Sequence, residues 1–549
     1  MEKIWRVLSK RQTTVGSAAF ILVSMVAASR ILGLIRDRLL SARFAPDELG
    51  VYFAAFRLPN LLFELLVMGA LTSAFIPVFT KYLTHNKEKE AWKIAAILIN
   101  LGTVLLLLLS LPVFLWAESI SRFFAPGFSP EQIRQMAAFT RFMIGLQVLP
   151  LLIGNFFTGI LQSYNLFLIP AMAPVVYNIG IIIGIIALTP FLGLWAPVVG
   201  VGFGAILFMV IQLPLLVRIG YRHTLDTNPQ TQGVKEVAHL MGPRTLGLAV
   251  SQIDTTVDLM LASLLGSRMV TIFNFAQHLQ QLPVGLFGAT VAQAALPLLS
   301  KQLVHGNKDE FKHTLIRAVH QILFFVLPAS ALFIVLRIPM VRLVFGASRF
   351  DWEATVLTGM TLSAFSISLF AQSVSHVFAR GFYALYDTKT PVMIGIAAIA
   401  INTILSILFI TWFQLPIWSL GVSTSIASII NVILLFWFLD RRVGRFSRWD
   451  LFGPPIKMAI AAGLTGIALY IPLKLLDQLV FDTTRVLGLL LLTGVSGFIG
   501  LSTYLFLSWV LGVGEVRFFL SLISRVKRLR VLFEPAGEVV NGGMGDKMS

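Results

Sequence analysis

The chain has 549 residues, of which 57% are hydrophobic and only 13% are charged, and its mean hydropathy is +0.84. About a quarter of the residues of a soluble globular domain are charged, so this composition excludes an ordinary water-soluble protein. The net charge of +17 would suggest nucleic-acid binding in a soluble chain, but here the basic residues lie mainly in segments between apolar stretches. Anionic headgroups explain basic residues at such places, so we expect membrane lipids and no nucleic acid as partners.

Apolar stretches of membrane-spanning length recur along the chain from residue 14 to residue 511. The predicted spans are 14–35, 50–80, 91–116, 136–162, 168–190, 196–218, 236–264, 269–300, 313–337, 354–383, 391–412, 418–438, 454–473 and 486–511. The sequence therefore predicts an all-α polytopic membrane protein with about 14 transmembrane helices.

The first twelve spans form two similar blocks. Residues Ala74, Pro77, Lys81, Leu83, His85 and Glu90 recur 220 residues later as Ala294, Pro297, Lys301, Leu303, His305 and Glu310. Repeats of this kind build many secondary transporters, with two parallel lobes around a central cavity. We predict an N-terminal lobe at 1–220, a C-terminal lobe at 221–440, two extra helices at 441–511 and a cytoplasmic tail at 512–549.

The distribution of Lys and Arg predicts the orientation of the chain. Basic residues collect at the amino terminus, in alternate connecting segments and in the tail, so both termini are expected in the cytoplasm. Three arginines, Arg337, Arg342 and Arg349, fall on the opposite side and are exceptions to this rule.

Ionisable side chains inside the first two spans are the first candidate site residues. An ionisable group deep in a span costs about 2.5–3.5 kcal/mol, so a retained one is expected to face a wet cavity or a partner. The candidates are Arg30, Arg36, Asp37, Arg57, Asn60 and Glu64. Pro59 is expected to break the second span and to free backbone carbonyls there.

The second lobe has an unusually polar pair of adjacent spans, the seventh and eighth. Gln252, Asp254, Asp258, His278 and Gln281 are the candidates for lining the cavity. Asp254 and Asp258 are one helical turn apart and share a face, so we expect Asp258 to pair with His278 across the cavity. The chain contains no ATP-binding loop, metalloprotease motif or hydrolase motif, which favours a transporter driven by gradients over an enzyme.

Several motifs also carry a family resemblance. They are Ser29-Arg30-Ile31-Leu32-Gly33 with Arg36-Asp37, the segment from Phe56 to Leu62, Pro283-x-Gly285-x-x-Gly288, and Gly381-Phe382-Tyr383 with Asp387 to Pro391. Together they resemble the MurJ/MviN lipid II flippases of the MOP exporter superfamily over most of residues 14–440.

The resemblance implies a flippase of the bacterial cytoplasmic (inner) membrane that acts in peptidoglycan synthesis, cell wall biogenesis and cell shape. The substrate would be an undecaprenyl-pyrophosphate-linked precursor, lipid II, with Arg30 and Arg36 on its pyrophosphate and its polyprenyl tail in a groove of the two extra helices. We expect a monomer without a cofactor, and a sodium coupling ion stays open. The matching sodium region is Asp258, Asn402 and Thr424, with Ser406 where an acid would strengthen the case.

The chain departs from the family at two positions that usually hold arginine, where it has Phe63 and His278. Three alternatives therefore stay open: a flippase for another lipid-linked oligosaccharide, a cation-coupled multidrug or metabolite antiporter of the same superfamily, and a membrane scaffold without transport. The two extra helices favour a lipid substrate over a soluble one.

Overall fold

The computed structural model describes residues 15–68, 74–479, 486–517 and 519, and these contain helices and no strands. Its long helices are α1 Val15–Arg43, α2 Pro46–Val67, α3 Glu88–Leu115, α4 Pro130–Ser163, α5 Leu168–Leu192, α6 Trp195–Arg218, α7 Gln232–Leu264, α8 Ser267–Val304, α9 Lys308–Val335, α10 Trp352–Ser366 with Leu369–Ala384, α11 Lys389–Trp412, α12 Trp418–Val443, α13 Arg448–Leu479 and α14 Val486–Val510. Short helices lie at Ile76–Thr84, Ala117–Phe124 and Arg337–Val344.

These helices confirm a polytopic all-α membrane protein. By length and composition, 11 of the described helices qualify as membrane spans, and 12 qualify when the two halves of α10, which meet at 43°, are one span. The other two, α1 and α7, have 29 and 33 residues, which exceeds the roughly 20 residues that a bilayer requires. All fourteen lie where the sequence predicted spans, although the exact number that crosses the membrane is approximate.

Backbone irregularities confirm the repeat. Left-handed backbone occurs at Asn86 and Gly306, at Asn165 and Tyr386, and at Gly193 and Gln414, three pairs whose members are 220 or 221 residues apart. A π-helical turn begins at residue 64 in α2 and again at residue 284 in α8. Because side chains rarely favour positive φ, recurrence at one offset reflects a shared backbone course of α1–α6 and α7–α12.

The proline in α2 acts as the sequence predicts. Pro59 has no N–H to donate to the carbonyl of Ala55, and the helix is interrupted at Phe56. The buried Thr140 of α4 donates its hydroxyl to that carbonyl at 3.2 Å. An unsatisfied carbonyl in an apolar interior would be costly, so this bond fixes the interrupted helix against α4.

Within the first lobe, α5 and α6 approach closely through glycines. A Cβ added to Gly180 would lie 2.4 Å from Cα of Gly204, and one added to Gly184 would lie 2.4 Å from Cα of Gly200. Glycines four residues apart let two backbones pack together inside a membrane, where dispersion replaces the hydrophobic effect.

We expect Gly184→Val to destabilise the protein by at least about 1–3 kcal/mol, the usual cost of overpacking, because backbone atoms of α6 have to move. The measurement is the thermal unfolding of detergent-purified protein. Gly395→Val in α11 is the matched control, since no atom outside its own helix lies within 4 Å of a Cβ there. Equal unfolding temperatures for the two variants would contradict the close packing.

Candidate functional site

A cavity of about 390 Å³ lies between the two lobes and is lined by α1, α2 and α5 of the first and α7 and α8 of the second. Its polar lining residues are Arg36, Tyr52, Arg57, Asn60, Tyr177, Thr255, Asn274, Gln277, His278 and Gln281. Phe53, Phe56 and Phe273 are its aromatic lining residues. The lining contains two arginines and no carboxylate, so its fixed charge is positive.

One wall of the cavity is an ion-pair network centred on Asp37, which is only 2% exposed. Arg36 donates from Nε and from a terminal nitrogen to Oδ1 of Asp37, at 3.0 and 2.9 Å. Nδ1 of His278 lies 2.8 Å from Oδ2 of the same carboxylate. Arg36 also reaches Oδ1 of Asn178 at 3.3 Å, so α1, α5 and α8 all hold it in place.

The expected pair of Asp258 with His278 was wrong. His278 pairs with Asp37 of the first lobe, because α8 presents this ring to α1 and not to α7. Asp258 is 4% exposed, and its Oδ1 has no hydrogen-bond partner among the described residues. Asp37 therefore receives two partners and Asp258 none at that oxygen.

Arg57 is the second arginine of the lining and is held by neutral acceptors. Its Nε donates to the hydroxyl of Thr256 at 2.8 Å, and a terminal nitrogen donates to the backbone carbonyl of Gln252. These bonds connect α2 to α7 and leave the positive charge of Arg57 without a directly bonded carboxylate among the described residues. Cations with such partners keep their attraction for an anionic ligand.

The structure brings some of the predicted site residues together and leaves others apart. Arg36, Arg57, Asn60, His278 and Gln281 line the cavity, and Asp37 and the carbonyl of Gln252 bond to lining residues. Three predicted residues, Arg30, Glu64 and Asp254, are not among the lining residues. Arg30 is exposed on α1, and Glu64 is half-buried in the π-helical turn of α2. Their predicted substrate contacts stay predictions.

Sequence reasoning missed several lining or supporting residues. Tyr52 and Tyr177 line the cavity, and Asn178 connects Arg36 to the hydroxyl of Ser29, to which it donates at 3.1 Å. Asn178 was identifiable, because a lone amide in the apolar span α5 needs a partner. The tyrosines carried no such signal, since aromatic residues are common in spans.

A second polar group lies among α7, α11 and α12. Asn402 donates to Oδ1 of Asp254 at 2.9 Å, and its own Oδ1 is buried without a hydrogen-bond partner among the described residues. Ser406 and Ser423 lie 2.6 Å apart, and Thr424 donates to the carbonyl of Leu420 at 2.9 Å. The described residues contain no cluster of three or more His, Asp or Glu that suits a metal ion.

The lobes touch at the end of the bundle opposite the chain termini, which we call the far end. There Arg268 of α8 pairs with Asp47 at 3.7 Å, Asp351 at 2.5 Å and Glu353 at 3.2 Å. Gly50 of α2 makes the contact possible, because a Cβ on it would lie 1.8 Å from the carbonyl oxygen of Ser267. Although burial opposes ionisation of Asp351, hydrogen bonds from the Ala354 N–H and Arg268 lower its pKa, so this cluster persists at neutral pH and weakens on acidification.

The lobes also touch at the near end, the end that carries the chain termini. Val237 of α7 packs with Val78 of the first lobe, and Val234 packs with Ile94. Lys81 pairs with Glu236 at 3.1 Å on the surface of this contact. The cavity is therefore enclosed between a far-end and a near-end contact, and a large ligand enters only when one of them opens.

An apolar groove of about 590 Å³ runs along the outside of the second lobe. It is lined by Ala331, Ile334, Val335, Ala462, Gly463, Gly466, Ile467, Tyr470 and Ile471. Its walls are α9 and α13, whereas the resemblance implied a groove made by the two extra helices alone. The tyrosine carries its only polar side chain.

A bundle of two repeated lobes that encloses a polar, cationic cavity defines an alternating-access membrane transporter. The model of the lipid II flippase MurJ family matches residues 44–495, and the chain belongs to that family. An inward-facing MATE multidrug transporter of the MOP superfamily, 13% identical, has the same fold with a TM-score of 0.65 over 77% of this chain and 98% of its own.

Similar proteins agree over most of their length. The probable lipid II flippase MurJ of Vibrio cholerae is 29% identical over 90% of this chain and 96% of its own, and that of Rhizobium meliloti is 29% identical over 95% and 96%. A solved structure of lipid II flippase MurJ in an inward closed conformation is 25% identical, with a TM-score of 0.75 over 92% of this chain and 100% of its own. The enclosed cavity agrees with a closed state.

Proposed function

We propose that this protein moves lipid II, the undecaprenyl-pyrophosphate-linked peptidoglycan precursor, across the bacterial cytoplasmic membrane by alternating access. The observation that carries the proposal is the cavity between the lobes, which has two arginines and no lining carboxylate. A diphosphate that leaves water needs fixed positive partners, and the planar guanidinium meets phosphate oxygens in pairs. Membership of the lipid II flippase family supports this substrate.

Transport by purified protein tests the proposal. Proteoliposomes containing fluorescent lipid II would be followed by the accessibility of the label to a membrane-impermeant quencher. We expect the protein to expose the label from both leaflets, whereas empty liposomes expose only one. Transport of cationic drugs without lipid II movement would support the antiporter alternative, and movement of a different lipid-linked oligosaccharide alone would change the headgroup.

The headgroup contacts follow from the positions of the charges. Arg36 and Arg57 lie on opposite sides of the cavity, one on α1 and one on α2, and the amides of Asn60, Gln277 and Gln281 line the space near them. We propose that the arginines hold the pyrophosphate and that the amides contact the sugar and peptide. Arg30, Glu64 and Asp254 would contact the lipid only in a state with a wider cavity.

The polyprenyl tail would occupy the apolar groove between α9 and α13. Each CH₂ buried there contributes about 0.8 kcal/mol, so a long tail gains binding energy that a soluble headgroup lacks. The groove lies outside the lobe interface, and the tail therefore stays in an apolar environment while the headgroup crosses.

We expect Gly463→Phe to slow transport of the full-length lipid several-fold, because the new ring fills the groove. No atom beyond its own helix lies within 4 Å of a Cβ at Gly463, so the change should not disturb packing. Gly497→Phe in α14 is the matched control, with equally open space around its Cβ. Equal transport rates for the two variants in the quenching assay would remove the groove from the tail pathway.

We also propose a sodium ion as coupling ion, held by Asp258, Asn402 and Thr424. The unpartnered Oδ1 atoms of Asp258 and Asn402 support this, because hard cations prefer such oxygens. Asp258→Asn should remove any stimulation of transport by a sodium gradient while lipid binding remains, and Asp309→Asn on the exposed surface is the control. If wild-type transport does not respond to sodium, a proton or the lipid gradient itself drives the cycle.

The remaining proposals concern the setting. Basic segments at the near end support cytoplasmic termini, and labelling of single cysteines from either side of the membrane would test this orientation. The cavity is enclosed by one chain, which supports a functional monomer. Transport by this scheme changes no covalent bond, so we propose a transporter rather than an enzyme.

A further inference from the structure

A separate basic pocket of about 580 Å³ lies at the far end, away from the central cavity, where α1 ends and α14 begins. Its charged lining residues are Arg38 of α1 and Arg342 of the short helix Arg337–Val344, and Trp352, Val486 and Leu489 form much of the rest. No Asp or Glu lines it. The arginines that break the positive-inside rule therefore belong, in part, to a defined pocket.

Arg38 is fixed in this pocket by bonds to backbone. One terminal nitrogen donates to the carbonyl of Leu343 at 2.6 Å and to that of Gly346 at 3.4 Å. The other terminal nitrogen and Nε make no hydrogen bond within the described part of the chain. The hydroxyl of Ser348 donates to the carbonyl of Ala42 at 3.1 Å and so ties the same loop to α1. Arg38 is thus a preorganised cation with N–H groups to spare.

The surroundings keep the pocket positive. The guanidinium of Arg342 lies 5.7 Å from the centre of the Trp352 ring, a cation–π contact that orients it without cancelling its charge. The nearest carboxylates in sequence, Asp351 and Glu353, are paired with Arg268 in the far-end contact. An anion in this pocket would meet two cations and no competing acid.

The other wall of the pocket is apolar and open to the outside of the bundle. Val486, the first residue of α14, is 55% exposed, and Leu489 one turn later lines the pocket from the same helix. Trp352 is 60% exposed, and tryptophan favours the level of the lipid headgroups. The pocket therefore joins two phosphate-binding cations to a surface that suits acyl chains.

We propose that this pocket binds the phosphate of a lipid headgroup in the leaflet at the far end, with Arg38 and Arg342 on the phosphate and α14 against the first methylenes of the chains. Planar guanidinium groups pair with phosphate oxygens, and the fixed geometry of Arg38 lowers the ordering cost. Two lipid classes carry this chemistry, an anionic glycerophospholipid and the polyprenyl pyrophosphate itself. The site is distinct from the central cavity, which contains neither arginine.

Native mass spectrometry of the full chain in detergent would test this site. The probes are phosphatidylglycerol, phosphatidylcholine with the same chains, and undecaprenyl pyrophosphate. We expect a preference for phosphatidylglycerol over phosphatidylcholine, and a loss of about tenfold in its apparent affinity in Arg342→Gln, as for one charge-assisted contact. Arg38→Gln should lose at least as much. Arg349→Gln, an exposed arginine of the same loop outside the pocket, is the matched control and should bind as the wild type does.

The cysteine-free sequence allows the site to be located directly. A fluorophore on Val486→Cys should be quenched by brominated phosphatidylglycerol, and Arg342→Gln should remove this quenching. Quenching by brominated polyprenyl pyrophosphate in place of phosphatidylglycerol would keep the phosphate site and name the transported lipid as its source. If Arg38→Gln loosens the loop, Arg342→Gln decides, since it breaks no bond to Leu343. Unchanged binding and quenching in Arg342→Gln would overturn the proposal.

Discussion

Arg36→Ala is expected to abolish lipid II transport. The side chain is one of two arginines in the cavity lining, and its loss removes half of the fixed guanidinium charge available to a pyrophosphate. It also leaves Asp37, which is 2% exposed, with His278 as its remaining partner in the network. Breaking a buried pair by removing one partner costs about 3–5 kcal/mol, so a loss of stability accompanies the loss of binding.

The two effects are separated by the choice of variants. Arg36→Lys keeps the charge beside Asp37 but loses the bidentate fork, so it should be stable and retain only part of the transport. Arg445→Ala, at an exposed position after α12, is the control for expression and insertion. The measurements are growth of cells that depend on this flippase and the quenching assay. Full growth with a well-expressed Arg36→Ala would refute the pyrophosphate contact.

Arg30→Ala belongs beside these variants because the resemblance and the geometry differ on it. The resemblance implies that Arg30 holds the pyrophosphate, whereas in this closed state Arg30 is exposed and does not line the cavity. Loss of transport in Arg30→Ala, together with normal lipid binding to the closed state, would place its contact in another step of the cycle.

The spans were predictable because the information is local. A bilayer requires a certain length of apolar chain, and α3, α5 and α12 begin and end within five residues of the predicted boundaries. The lobes were predictable from motifs at one offset, and positive φ at Asn165 and Tyr386 shows that the repeated motifs specify the same turn. Here sequence and backbone carry the same information.

Partners across the bundle were not predictable in the same way. Pro59 announced a freed carbonyl, but its donor, Thr140, is 81 residues further along the chain, and nothing near Pro59 points to it. Similarly, spacing placed Asp258 on the polar face of α7 but did not say which helix faces His278. Helical periodicity gives the direction of a side chain within its helix and not the packing of helices against each other.

Cross-linking the far-end contact is the second change with a large expected effect. Asp47→Cys combined with Arg268→Cys, joined by a short cleavable thiol reagent, should stop transport completely, because the lobes then cannot separate at the far end. The ion pair itself is 3.7 Å long with Asp47 56% exposed, and pairs of this kind are worth at most about 1 kcal/mol. The double-cysteine protein without reagent should therefore transport nearly as well as the wild type.

Lys81→Cys with Glu236→Cys makes the corresponding lock at the near end, across a pair of 3.1 Å. Alternating access requires each contact to open once per cycle, so either lock alone should stop net movement and cleavage of the reagent should restore it. The sequence contains no cysteine, so each single-cysteine variant treated with the same reagent is a clean control. The locks should differ in binding: lipid II added from the near side should bind the far-end lock and not the near-end lock. Normal transport by a protein fully cross-linked at the far end would show that the headgroup leaves by a route other than separation of the lobes.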